Sequence, residues 1–277
     1  MLDIAFEFAW ERPAKGKGFA WEETDAGETR LARVERAPFE CYEPLKECTG
    51  LFRTFADLSP EPGPMLEFAD RYGALGSGWD EIALWKEGVA RMRGLVAAWE
   101  ALATEDWAAL RAVLSKLPKA FFQPGTDAKR ASPSELVNAG VALLYNEVAG
   151  RIFGWTFGAW SRQRSPPVVW HRQAKRPVLK FSPPSLLDAM YLQLAHAILG
   201  GKKYQPCEAC GRWFELAPGL NRADRQTCSD SCRVKLYRVR RQRARELHAK
   251  KWSLKRISKE IGSNVSTIKK WLSQHKE

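Results

Sequence analysis

Cys207-Glu208-Ala209-Cys210-Gly211 and, with seventeen residues between Cys210 and Cys228, Cys228-Ser229-Asp230-Ser231-Cys232 hold four of the chain's six cysteines. Zinc is bound by four soft ligands in a tetrahedron, and a short loop carrying two thiolates supplies half of one. Gly211 suits such a loop because a metal-binding knuckle needs a residue that tolerates positive φ. Ser229 and Asp230 are good helix-starting residues, so the spacing predicts Cys228 and Cys232 on one face of a first helical turn. With cysteine at all four positions no ligand site stays open for water, which makes the expected Zn2+ structural. Two competing readings are disulfides, disfavoured if the thiols stay reduced inside the cell, and a chance coincidence of four thiols. Cys41 and Cys48 lack the spacing and are expected to be ordinary half-buried thiols.

The charge is segregated in the same direction. The 277 residues carry a net charge of +12, and residues 202–277 hold 20 Lys and Arg against 7 Asp and Glu. The first 201 residues hold 24 against 25. A basic block confined to one module points to a polyanionic partner; a bare charge run could also be a solvated tail. Between Gly219 and Gly262 there is no glycine or proline, and the stretch contains Arg233, Lys235, Arg238, Arg240, Arg241, Arg243 and Arg245. These are good helix formers, so a helix is predicted from the metal site to about Lys250. From residue 233 it would span about 27 Å, enough to lie along several phosphates of a duplex. The competing reading is a solvated linker helix.

Beyond it, Ser253 and Gly262 mark the start and stop of a short helix whose Leu254, Ile257, Ser258 and Ile261 share one face. A turn at Ser263-Asn264-Val265 leads to a last helix, expected from about Ser266 to His275, with Val265, Ile268, Trp271 and Leu272 as its buried stripe. Ser266, Thr267, Lys270, Ser273 and Gln274 would then face outward, with Lys269 on the flank. Hydroxyls, an amide and a lysine can bond base edges and phosphates, as a major-groove reader must. Ala244 and Leu247, from the end of the arginine-rich helix, would complete a trihelical core. A small helical bundle without a nucleic-acid role is the alternative.

Knuckle, hairpin through Arg212–Leu216 and helix start follow one another as in a treble-clef zinc site. Residues 207–241, with Cys228-Ser229-Asp230-Ser231-Cys232-Arg233 leading into a basic helix, resemble the treble-clef fingers of bacterial CGNR-type proteins, although the Cys-Gly-Asn-Arg run is absent. Residues 244–272 resemble the helix-turn-helix of resolvase and transposase DNA-binding domains. The matching runs are Trp252-Ser253-Leu254-Lys255-Arg256-Ile257 and Val265-Ser266-Thr267-Ile268-Lys269-Lys270-Trp271-Leu272. The resemblance covers about a quarter of the chain and implies a mostly helical N-terminal region and a role in transcription regulation.

The expected fold is mainly α with a small N-terminal β portion. An α+β domain over 1–201 precedes a treble-clef zinc finger over 202–232 and a basic helix with a C-terminal trihelical helix-turn-helix over 233–277. Alternating residues up to about Glu43 predict a few strands, and Val168–His171 with Val178–Phe181 predict a hairpin. Helices are expected over Trp79–Leu102, Glu105–Leu117, Pro133–Phe153 and Ser185–Leu199, the third opened by Ser132, Pro133 and Glu135 as a capping box. Gly73, Gly76 and Gly78 read as a plain connection. No His-Glu-x-x-His, Gly-x4-Gly-Lys or Gly-x-Ser-x-Gly run is present, and no catalytic residue is assigned.

Asp3 and Glu7 argue against a signal peptide, and the longest run without a charged residue, Ala189–Gly201, is shorter than the roughly 20 residues a bilayer requires. The expectation is a cytoplasmic, zinc-dependent protein that binds duplex DNA and acts as a transcription regulator. Its first domain would sense, dimerise or contact partners. A homodimer would suit a lone helix-turn-helix, though no heptad run supports one, and a few of the tryptophans could line a pocket for a small-molecule effector. The alternatives are a nucleic-acid-processing enzyme with its site in 1–201, marked by converging acidic residues, and an RNA-binding protein.

Overall fold

Five short strands begin the chain: β1 Ile4–Phe6, β2 Trp10–Pro13, β3 Phe19–Glu23, β4 Thr29–Arg33 and β5 Phe39–Tyr42. The computed structural model describes residues 4–6, 8–76, 80–116, 127–152, 168–171, 176–216 and 225–273, and within it these strands do not form one sheet. β3 and β4 form an antiparallel hairpin whose turn passes through Gly27 at φ +76°. β2 pairs antiparallel with β5. β6 Val168–His171 and β7 Arg176–Phe181 form an antiparallel pair, and β1 adds to β7 in parallel.

Among the described residues, seven helices follow the first strands or lie among the later ones: α1 Pro44–Glu47, α2 Leu51–Ala56, α3 Pro62–Tyr72, α4 Ile82–Ala103, α5 Trp107–Leu114, α6 Pro133–Leu144 and α7 Leu186–Leu199. The first three were not anticipated. α6 opens with the full capping box of Ser132 and Glu135 and continues into a π-helical turn, Tyr145–Ala149, instead of staying regular to Phe153, which lies outside the described residues. The predicted helix ends Trp79 and Leu117 also lie outside them. Gly73 ends α3 at φ +96°, and the Gly76 amide donates to Asp80, so this segment is the plain connection expected. Gly78 is not among the described residues.

α4 lies at the centre of this part of the chain, packing on α2, α5, α6 and α7. Trp85 near its start is fully buried and meets the rings of Phe55 and Phe68 edge-on. α7 is apolar nearly all round and is buried accordingly. Its buried Asp188 accepts from Arg151 at 2.6 Å and from Ser185, its own N-cap. The side-chain amide of buried Gln193 donates to the carbonyls of Pro44 and Cys48, and its oxygen accepts from the Phe52 amide. Gln193→Leu keeps the volume but removes these three hydrogen bonds, while the Pro44 and Cys48 carbonyls still accept from the amides of Cys48 and Leu51. Urea unfolding of the whole chain is expected to show a loss of about 3 kcal/mol; an unchanged midpoint would contradict that bonding.

The chain divides into two compact units, Met1–Lys203 and Tyr204–Glu277. The second is built from β8 Lys203–Pro206, β9 Trp213–Leu216, α8 Asp230–Ala249, α9 Leu254–Ile261 and α10 Val265–Ser273. β8 pairs with β9. α8, α9 and α10 enclose one small core of Ala244, Leu247, Ile257, Ile261, Ile268 and Trp271, edged by Trp252, Leu254 and Leu272. Lys251 at φ +60° turns the chain from α8 toward α9, and left-handed Gly262 ends α9. Among the described residues, no helix is long and apolar enough to cross a membrane.

Candidate metal centre and basic helices

A tight turn carries the first cysteine pair. The amide of Cys207 donates to the Arg212 carbonyl, and the amides of Cys210 and Gly211 donate back to the Cys207 carbonyl. Gly211 takes φ +72°, the left-handed conformation that glycine adopts without steric cost. The second pair straddles a helix start. Ser229 is the N-cap of α8, its hydroxyl accepting from the Cys232 amide at 3.2 Å. The helix therefore begins at Asp230, so Cys228 precedes the cap, and only Cys232 lies in the first helical turn. The cap position falls between the two thiols.

All four sulfurs nevertheless converge. The Sγ atoms of Cys207, Cys210, Cys228 and Cys232 lie within 4.8 Å of one another and could hold a metal ion. Cys228 Sγ is 3.7 Å from Cys210 Sγ and 3.6 Å from Cys232 Sγ, too far for a disulfide, whose S–S bond is about 2.0 Å. Cys207 and Cys232 are buried with Phe214, and the other two thiols are half-buried. Burial opposes ionisation at Cys210, but hydrogen bonds from Arg212 outweigh it and bring its thiol down to about 6. Burial pushes the Cys228 thiol up to about 12, and its neighbours Cys232 and Cys210 add to the rise. Sulfurs this close ionise together only around a cation, which removes the repulsion between thiolates. Outside this cluster, Cys41 is exposed on β5, which corrects the expectation of burial there, and Cys48 is half-buried.

Two arginines of this site went unnoticed in the sequence. Arg212 donates to Cys210 Sγ at 3.5 Å and to Cys228 Sγ at 3.8 Å. Arg225 donates to the Thr227 and Cys228 carbonyls and lies over the Phe214 ring. Such outer contacts orient ligand-bearing backbone. The position of Arg212, two residues after a candidate ligand, was a readable signal.

The seven cations of α8 do not share one face. Arg240 is drawn back to the knuckle, donating to Glu208 at 2.6 Å and to Gln226 at 3.3 Å. Arg233 pairs with Asp230 and Arg243 with Glu246, each at 3.3 Å within the helix. Lys235 is exposed. Arg238, Arg241 and Arg245 recur at helical spacing along one flank. On α10, Ser266, Lys269, Lys270 and Ser273 are exposed, and Thr267 is half-buried. Gln274 lies outside the described residues. Ile268 and Trp271 are buried, and Trp271 meets Tyr237 of α8 edge-on. The Ser253 hydroxyl caps α9, the Arg256 guanidinium stacks 3.6 Å over Trp252, and the Ser258 hydroxyl donates to the Ser263 carbonyl across the turn.

In the first unit, Glu147 and Asp188 approach one region, but each is matched by an arginine: Arg91 at 3.3 Å and Arg151 at 2.6 Å. Among the described residues, the four cysteines are the His, Cys, Asp and Glu side chains grouped to hold a metal.

A family model described as "Putative ATPase subunit of terminase (gpP-like)" matches residues 239–277. The match begins within α8 and takes in both short helices after it. No curated protein and no solved structure matches the chain.

Proposed function

We propose that residues 204–277 are a zinc-stabilised module that binds duplex DNA, a treble-clef finger whose helix continues into a helix-turn-helix. The observation that carries this reading is the convergence of four cysteine sulfurs at the root of a basic helix. That helix joins a three-helix core whose last member leaves Ser266, Lys269, Lys270 and Ser273 exposed. A tetrahedral ion bound at about 2.3 Å by four thiolates sets its sulfurs about 3.8 Å apart. The 3.6 and 3.7 Å separations fit it. Four protein ligands leave no open position, so the zinc would fix the knuckle and the first turn of α8 and take no part in a reaction. The cytoplasm, where thiols stay reduced, suits the site.

The family match supports a DNA role for the stretch from α8 onward, since terminase-like proteins package DNA. It favours DNA handling of that kind over transcription regulation. ATP hydrolysis forms no part of the proposal, because the chain contains no Gly-x4-Gly-Lys phosphate loop.

Lys270 is exposed in the last turn of α10, and a lysine there can bond guanine O6 and N7 if the helix enters the major groove. After selection of a preferred duplex from a random pool, Lys270→Ala should lose about tenfold in preference for that site over mixed DNA. Its affinity for mixed duplex should change little. Discrimination equal to that of the unaltered chain would remove α10 as the reading helix.

A further inference from the structure

Of the seven cations on α8, three already have acidic partners within the second unit: Arg233, Arg240 and Arg243. Arg238, Arg241 and Arg245 lie three, then four residues apart and share one flank of the helix. Glu246, the acidic residue in the body of α8, projects about 100° further round than Arg245. Two of the flank residues show a second feature. Nε of Arg241, and both Nε and Nη2 of Arg245, are buried without a hydrogen-bond acceptor among the described residues. A guanidinium carries five N–H donors and its charge at any physiological pH. Those three nitrogens are closed to solvent and hold the two side chains in place; the remaining terminal nitrogens, on groups with no acidic partner among the described residues, can offer charge-assisted, forked hydrogen bonds to an anion with several oxygens.

We propose that Arg241 and Arg245 form a phosphate clamp that grips one backbone phosphate of the bound duplex. Their Cα atoms lie about 6 Å apart along the axis, one helical turn, so both guanidinium groups can reach the oxygens of a single phosphate. Arg238, one turn nearer the metal knuckle, extends the same flank toward the next phosphate. This rests on the reading of 204–277 as a DNA-binding module and makes it more specific. The clamp holds the backbone and sets the register, while α10 meets the bases. The arginines of α8 thereby divide into two roles. Arg240 positions the helix on the knuckle, whereas Arg241 and Arg245 face the nucleic acid.

The test uses the full, zinc-loaded chain in two arms. In the first, duplex DNA is titrated over a salt series with the unaltered chain, with Arg241→Gln/Arg245→Gln, and with Lys235→Gln as a control from another face. The double variant should bind about a hundredfold more weakly and reduce the slope of log affinity against log salt by about 2. The control should change less than threefold. In the second arm, inorganic phosphate is added to the unaltered chain while the arginine Nε–H resonances are followed by NMR. Those of Arg241 and Arg245 should move together, and that of Arg243 should not. Duplex binding with no effect of the double variant and no resonance shift would overturn the clamp and leave the module's DNA role standing. Equal losses from Lys235→Gln and the double variant would also overturn it, in favour of a diffuse field. If phosphate moves both resonances but no duplex binds, the clamp stands as an anion site and the DNA reading falls. Silence in both arms removes both.

Discussion

A chain carrying Cys232→Ser should lose its bound metal and the order of the knuckle, while the first unit stays folded. Under the proposed reading Cys232 would join the metal to α8, since it lies in the first turn just after the Ser229 cap and is buried with Cys207 and Phe214. A serine hydroxyl at neutral pH is not the thiolate a zinc site uses, so the ion would keep three thiolates and an open side. Structural zinc sites bind with about 10–16 kcal/mol of apparent free energy, most of which is folding free energy for the segment around them. Losing one ligand of four should therefore cost several kcal/mol, on the order of the whole stability of so small a unit. The check is metal stoichiometry in the presence of a competing chelator, together with hydrogen exchange over 204–240. Cys41→Ser, at an exposed position, should stay within about 0.5 kcal/mol of the unaltered chain. Equal metal retention by the Cys232 and Cys41 variants would contradict the four-thiolate site.

Trp271→Ala should melt the three-helix core and leave the metal in place. Trp271 is buried against Ile257, Ile261 and Ile268, and it also meets Tyr237 on α8. Removing a buried tryptophan side chain costs about 3–5 kcal/mol through lost transfer energy and the cavity left behind. A core of six buried side chains has about that much net stability to lose. Because this core is a separate cluster from the one around the cysteines, the metal site should not follow it. Hydrogen exchange should show protection lost over 244–272, with one metal still bound. Protection retained there would contradict the central place given to Trp271.

What the sequence made legible was local. Ser132 with Glu135, Ser229 before Cys232, and Ser253 with Gly262 each mark a helix end through groups only a few residues apart, and each is found where it was expected. The cysteine cluster was legible for the same reason, since one tight turn and one helix start carry all four sulfurs. Helices α1 to α3 were missed because prolines at 44, 60, 62 and 64 look like interruptions. Pro44 and Pro62 instead occupy first-turn positions, where the missing amide costs nothing. The parallel pairing of Ile4 with Leu179 spans most of the first unit, and no local pattern announces it. Likewise, an arginine-rich helix reads as uniform charge until Glu208 and Gln226, brought close by the knuckle, take Arg240 for themselves.

The proposed function is a metal-organised basic module that grips duplex DNA. Its most direct test is the affinity of the full chain for mixed duplex over a salt series, first zinc-loaded and then after chelation. Binding should weaken steeply as salt rises, with several phosphates engaged, and should fall at least tenfold when zinc is removed. Tighter binding to single strands or RNA hairpins, or binding that ignores both salt and chelator, would contradict it.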